Sequence, residues 1–386
     1  MTTFSKRIYL PSIIALLLLV IVLLMGLLMR QNSHQQLPSP MAADTGVSGA
    51  INIQKDTQIY HWTLVTTWPK NFPGIGAAPE NFANVLRKIS SGRLDITVYG
   101  ANEIVPAMGV FGAVSSGSAQ MGHGAAYYWR GKIPAAVFFS SVPFGMNVQE
   151  LNGWLHYGGG MDLWREIYAP HNLVPFAGGN TGVQMGGWFN KPINSLADIQ
   201  GLKMRIPGLG GDVFTRAGGT AVNIPGGELY TALQSGVIDA TEWVGPYNDL
   251  AFGFHQIAKY YYYPGWQEPG PALEFTINKE AYDSLPDDLK IMIETAARAI
   301  NQDMLDEYTA RNKDSLVELV EKYHVDVRPF PNDVLQSFAK ISEDIYQENS
   351  ATDPQFKKVY DSYKTFMEKI RPYHDISEKA YYDFRP

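Results

Sequence analysis

The chain has 386 residues, 31 Lys and Arg against 38 Asp and Glu, a formal charge of -7, and no cysteine. Without cysteine there is no disulfide scaffold, no thiolate-ligated zinc or iron–sulfur centre and no thiol nucleophile. The acidic balance argues against a nucleic-acid binder, which carries a basic face, and an apolar content of 45% is too high for disorder.

Residues 1–30 form a separate unit. They hold Lys6, Arg7 and Arg30 and no acid, and no residue from Ile13 to Met29 is charged. As a helix, Tyr9 to Met29 rises ~31 Å, enough for a hydrocarbon core of ~30 Å, with Lys6-Arg7 on the cytoplasmic side. Two readings stand: an N-terminal membrane anchor, because no small-x-small site follows Met29-Arg30-Gln31, or a cleaved signal peptide. Both export the rest, whose 28 basic and 38 acidic residues leave it at -10. Residues 31–57, rich in Ser, Gln, Pro and Ala, read as a flexible tether.

From His61 the pattern is α/β. Trp62–Thr67, Leu94–Tyr99 and Gln120–Gly124 read as strands, with helices at Glu80–Ile89 and Val105–Ser116 between them. That order suits a parallel sheet with covering helices. A second series follows: a helix at Glu150–Ala169, one or two strands within Leu173–Phe189, a strand at Lys203–Ile206, a helix at Gly227–Ser235 and a strand at Val237–Trp243. Two such series predict two α/β lobes. After Leu285-Pro286 the chain turns helical, at Asp287–Tyr323, Pro331–Gln347 and Asp353–Ile370. The terminal Tyr381-Tyr382-Asp383-Phe384 is an aromatic end, either docked or frayed.

Enzyme constellations are missing from the sequence. No two of the eight histidines are spaced as HxH or HxxxH, and there is no GxSxG elbow and no GxxxxGK[ST] loop. Gly208-Leu209-Gly210-Gly211 lacks the third glycine of a dinucleotide fingerprint and reads as a loop needing positive φ. What remains is polar residues at the ends of apolar strands. Arg205, inside a strand just before a turn, is costly unless an anion meets its guanidinium, whose fork matches a carboxylate; an exposed strand arginine is the plainer alternative. Glu242 and Trp243 end a strand before Gly245-Pro246, Gln184 lies among glycines, and Glu268 follows the aromatic run Tyr260–Trp266. Each has a plain alternative as a solvated or backbone-paired side chain.

In combination these stretches resemble a known family. Ser195–Gln200, Gly201-Leu202-Lys203-Met204-Arg205 and Ser235–Trp243 are similar to the DctP-type extracytoplasmic solute-binding receptors of tripartite ATP-independent periplasmic (TRAP) transporters, most closely the 2-oxoacid/monocarboxylate TakP branch, over about residues 58–370. The resemblance implies a two-lobed, type II-like periplasmic binding protein fold, α/β in class, with a long helix across both lobes, a helical C-terminal region and a ligand in the cleft. The lobes are expected at 58–180 plus about 244–270, and at 181–243 plus about 271–330, with 331–386 as the C-terminal helices. It implies that Arg205 clamps a substrate carboxylate, that Gln184, Trp243 and Tyr128 hold the substrate, and that Glu242, the Trp243 carbonyl, Gln184 and Glu268 hold a bridging cation. Hard oxygen ligands suit Na⁺ or Ca²⁺. Charge counting with Glu242 alone favours a monovalent ion, and with Glu268 a divalent one.

The function so implied is capture of a small 2-oxo- or 2-hydroxy-monocarboxylate in the periplasm and delivery to TRAP membrane permease subunits, without catalysis. A membrane-anchored organic-acid sensor and an exported α/β enzyme are the rivals. No nucleic-acid partner is expected. Because the branch includes dimers that exchange C-terminal helices, a homodimer is expected, with a monomer carrying a long strut as the alternative.

Overall fold

The computed structural model describes residues 58–386. The expected leader or anchor at 1–30 and tether at 31–57 lie outside the described residues. Among the described residues no helix is long and apolar enough to cross a membrane.

The strands are β1 Tyr60–Thr66, β2 Leu94–Tyr99, β3 Met121–Gly124, β4 Leu173–Asn180, β5 Gly187–Phe189, β6 Lys203–Arg205, β7 Thr220–Val222, β8 Ala240–Thr241, β9 Tyr260–Tyr263, β10 Ala272–Asn278 and β11 Asp326–Pro329. The α-helices are α1 Ala78–Ile89, α2 Val110–Ser115, α3 Val148–Tyr157, α4 Gly160–Tyr168, α5 Gly208–Arg216, α6 Leu229–Gln234, α7 Pro246–Phe252, α8 Lys279–Asp283, α9 Asp287–Val317, α10 Asn332–Thr352, α11 Pro354–Ile376 and α12 Glu378–Phe384. One sheet has the order β2-β1-β3-β10-β4 and the other β11-β9-β5-β8-β6-β7. In the first, β1 runs parallel to β2 and β3, while β10 is antiparallel to β3 and β4. In the second, β6 runs parallel to β7 and β8, and β5 is antiparallel to β8 and β9. This is the expected two-sheet α/β architecture.

The chain crosses between sheets from β4 to β5, from β9 to β10, and through α9 to β11. The expected lobe boundaries differ here. Tyr260–Tyr263, assigned with 244–270 to the first lobe, pairs with β5 and β11 of the second sheet; Ala272–Asn278, assigned with 271–330 to the second, lies between β3 and β4 of the first. The return crossing comes after β9, because the all-buried β10 fills the gap between β3 and β4.

Other departures have local causes. The helix expected over 150–169 divides at Gly158-Gly159, with Gly159 at φ 88 capping α4. Gly208 does take a positive φ of 62, but it opens α5 rather than a loop. Helix α9 spans 31 residues, ~46 Å. Its buried Leu289, Ile293, Ala296, Ile300 and Met304 recur at helical spacing, and it packs on β4 and α1 at one end and on α7 at the other. Helix α10 packs on α5, and α11 packs on the Pro134–Phe139 turn and α4. In the first lobe Phe82 of α1 is fully buried and stacks on Phe275 of β10 at 4.0 Å. Phe82→Ala is expected to lower stability by ~3–5 kcal/mol, read from the shift of the urea unfolding midpoint at unchanged slope.

Candidate functional site

The site follows from strand direction. Parallel β6 and β8 place Arg205 beside Thr241, so Glu242 lies at the same C-terminal sheet edge and its backbone N–H donates to the Arg205 carbonyl at 3.2 Å. Such an edge is where α/β sheets bind ligands. Arg205 is almost fully buried, at 1% exposure. Its Nε donates to the Ile224 carbonyl at 3.1 Å, and Nη1 donates to the Glu242 carbonyl at 3.1 Å and to Glu242 Oε1. Nη2 has only a long bond, 3.3 Å, to the Tyr128 hydroxyl of the first lobe. The guanidinium therefore has one edge anchored and one edge available to an anion. Its carbon stands 5.1 Å from the Trp243 ring centroid, a cation–π arrangement.

Gln184 and Glu268 come from the two strand-to-strand crossings. The crossings pair with each other: Gln184 N–H donates to the Glu268 carbonyl at 3.1 Å, and Gly265 N–H donates to the Gln184 carbonyl at 2.9 Å. A Cβ on Gly265 would lie 2.2 Å from that Gln184 carbonyl oxygen, so the approach requires glycine. Gln184 Oε1, Glu242 Oε2 and Glu268 Oε2 are all buried without a protein hydrogen-bond partner.

The electrostatics are oversubscribed on the acid side. Burial is the largest single influence on Arg205 and works against its charge, but Glu242, Tyr128, Tyr127 and Glu268 together outweigh it and raise the guanidinium pKa. Burial raises the Glu242 pKa, and Arg205 only partly opposes this. Glu268 is pushed well above the ordinary range by burial and then by repulsion from Glu242. Two buried carboxylates share one guanidinium, and three orphaned oxygens remain, two carboxylate and one amide. That donor set fits a hard cation. Among the described residues no group of three His, Cys, Asp or Glu side chains could hold a metal. The oxygens that could meet a cation here are those of the two carboxylates and the Gln184 amide.

All six expected residues, Tyr128, Gln184, Arg205, Glu242, Trp243 and Glu268, belong to or border this cluster. Sequence reasoning missed the wall opposite Trp243. Trp68, two residues past the end of β1, meets the Trp243 ring edge-on at 6.0 Å and Tyr128 at 6.1 Å. Its Nε1–H donates to His123 Nδ1 at 2.8 Å, and His123 Nε2 donates to the Gly178 carbonyl at 3.1 Å. Burial lowers the His123 pKa to about 4. An aromatic residue just past a parallel strand was the available signal. Asp249, also missed, accepts from Trp188 Nε1 at 3.0 Å, Tyr261 OH at 2.7 Å and Val244 N–H at 3.2 Å, fixing the loop that carries Trp243.

Residues 64–353 match the family described as bacterial extracellular solute-binding protein, family 7. The chain belongs to this family. Family 7 is a solute-binding family rather than a family of catalysts. Among its relatives, a monocarboxylate 2-oxoacid-binding periplasmic protein of Nostoc sp. is 42% identical over 333 residues, covering 86% of this chain and 91% of that protein. A TRAP periplasmic solute-binding protein of Pseudoalteromonas atlantica, solved with bound sodium and pyruvate, has TM-score 0.83 and 44% identity over 85% of this chain and 100% of its own. One from Colwellia psychrerythraea, solved with calcium and pyruvate, has TM-score 0.82 and 44% identity over 84% and 99%. One from Bordetella bronchiseptica, a mixed-occupancy dimer with calcium and picolinate, has TM-score 0.83 and 35% identity over 85% and 97%.

In this family-7 receptor the Trp68–His123 bond requires a neutral ring with its proton on Nε2. Long-range ¹H–¹⁵N NMR is expected to show that tautomer unchanged from about pH 8 to about pH 5. A ring titrating near the ordinary 6.5 would contradict it.

Proposed function

We propose that this receptor captures a small 2-oxo- or 2-hydroxy-monocarboxylate together with one cation in the periplasm and delivers it to TRAP permease subunits. The observation that carries the reading is the Arg205 guanidinium, buried with one free edge beside three orphaned oxygens. The Nη2 edge and the Tyr128 hydroxyl proton meet the ligand carboxylate. Gln184 Oε1, Glu242, the Trp243 carbonyl and Glu268 hold the cation, which also takes ligand oxygen. The cation supplies the positive charge that lets an anion approach two carboxylates. A pyruvate-sized ligand has little apolar surface, so charge-assisted bonds in a dry cleft must provide its affinity.

Charge counting favours calcium over sodium. Arg205 against Glu242, Glu268 and a ligand carboxylate leaves a deficit of about two positive charges, which a divalent ion matches. Calorimetry with pyruvate is expected to give tight binding with Ca²⁺, weaker binding with Na⁺ and none after chelation. Arg205→Ala should weaken it at least ~100-fold. Glu268→Gln should reverse the preference toward Na⁺. Binding that survives Arg205→Ala would rule out the clamp, and a Ca²⁺ preference unchanged in Glu268→Gln would remove Glu268 from the ion site.

The N-terminal segment then either leads the receptor across the membrane or tethers it there, and a homodimer is part of the same reading. Helix α11 packs on its own first lobe, with Phe138 within 4.9–5.7 Å of Phe356, Tyr360 and Tyr363. The same contacts made by a partner's helix would exchange the C-termini. Beyond them Tyr373, Ile376, Tyr381, Tyr382 and Phe384 are exposed. Light scattering of residues 31–386 is expected to give twice the chain mass, and the chain mass alone would overturn the dimer.

A further inference from the structure

Two short segments meet across the cleft. Residues 127–130 follow β3 of the first lobe, and residues 205–212 follow β6 of the second. On the inner side Arg205 Nη2 donates to the Tyr128 hydroxyl at 3.3 Å. On the outer side Arg130 Nη1 donates to the Gly208 carbonyl at 2.7 Å and to Asp212 Oδ2 at 2.8 Å, while Nη2 donates to Asp212 Oδ1 at 2.7 Å. This is a bidentate pair, the geometry in which an arginine–carboxylate bond is strongest. Both partners are half-buried, at 37% and 38% exposure, so solvent screening discounts the pair but leaves it above a fully exposed one.

The pair also closes a space. Tyr127, Tyr128, Ile206, Pro207 and Val222, together with Arg130 itself, line a cavity of about 180 Å³. Tyr128 lines its inner end and touches Arg205; Arg130 and Asp212 lie at its rim. Gly208 lies against the Tyr127 side chain, and its φ of 62 turns the chain from β6 into α5. None of the proposed ligand or cation contacts uses Arg130 or Asp212. Only Ile206 and Pro207 lie between Arg205 and Gly208, and only Trp129 lies between Tyr128 and Arg130. The inner contact to the clamp and the outer ion pair therefore form together or not at all.

We propose that Arg130 and Asp212 are the latch of the closed receptor, which holds the two lobes together across the rim of the cleft and sets the rate at which ligand leaves. The latch makes contacts only in the shut form, so it supplies differential free energy between open and shut states. It acts as a positioning device and touches neither ligand nor cation. The kinetic arm of its test rests on the proposed 2-oxoacid reading; the distance arm does not.

Because the chain has no cysteine, two introduced ones carry spin labels without background. Ile104→Cys in the first lobe and Val237→Cys in the second are both exposed positions. The distance distribution between them is measured in the otherwise native protein and in Arg130→Gln, Asp212→Asn and the double variant. Release of pyruvate with Ca²⁺ is followed by stopped-flow tryptophan fluorescence in the same set. Each single variant is expected to raise the release rate ~3- to 10-fold and to broaden the distances toward an open population. The double variant is expected to match Arg130→Gln, because that change already removes both the pair and the bond to the Gly208 carbonyl. Raising the salt should speed release in the native protein and little in the variants. Singles that release ligand and sample distances like the native protein overturn the latch, as does a double variant whose effect is the sum of the two. A native protein that binds no pyruvate with any cation overturns the ligand reading, and the distance distributions still decide the latch.

Discussion

The buried guanidinium of Arg205 is the constraint from which the rest of the site follows. A cation removed from water this completely is tolerated only with close anionic or carbonyl partners. Parallel strand order supplies them: β6 ends at Arg205, β8 delivers Glu242 beside it, and the carbonyls of Ile224 and Glu242 take two more protons. One carboxylate would suffice. The presence of Glu268 makes the pocket too acidic to be stable empty in its charged form, and burial raises both glutamates accordingly. With both glutamates ionised the site is one positive charge short, which suits it to a cation.

The proposed cation ligands occupy mechanically distinct places. Gln184 and Glu268 lie on two of the three crossings that join the sheets, hydrogen-bonded to one another, whereas Glu242 and Trp243 belong to the second lobe. An ion holding all of them ties the crossings to one lobe and restricts the backbone rotations by which the lobes open. Trp68 and Tyr128 come from the first lobe and contact Trp243 and Arg205 of the second. In the proposed reading, ion loading and lobe closure are linked through backbone that carries both.

How much of this was legible depended on periodicity. Strands β1, β2, β3 and β6 and the helix opening near Asp287 were readable because apolar residues recur at regular spacing next to turn residues. Strand β10 is buried on both faces, so its sequence has no alternation to detect; β9 is a run of tyrosines that reads equally well as packing. Helix α5 was hidden by three glycines within its first four residues. At the site, the residue types at strand ends were suggestive singly and became specific only in combination, through the resemblance. The Trp68–His123 bond spans 55 positions, and no local pattern signals such a pairing. Lobe membership of β9 and β10 was illegible for the same reason, since it depends on which strands already pair.

The acidity of the chain bears on the ligand only at long range. Residues 31–386 carry -10, which repels a small anion, but fields from exposed charges fade within ~8 Å at physiological salt. Inside the cleft screening is weak, and the local count of one guanidinium plus one cation decides. The same contrast separates the two kinds of electrostatic contact in this protein. Arg205 is deep enough that its interactions are nearly independent of salt. Arg130 and Asp212 lie at the rim, where salt reaches them, and can affect how long the lobes stay shut without altering what they select. With no disulfide to hold either lobe position, opening and closing are governed entirely by contacts of this strength, a few kcal/mol that one bound ligand can outweigh.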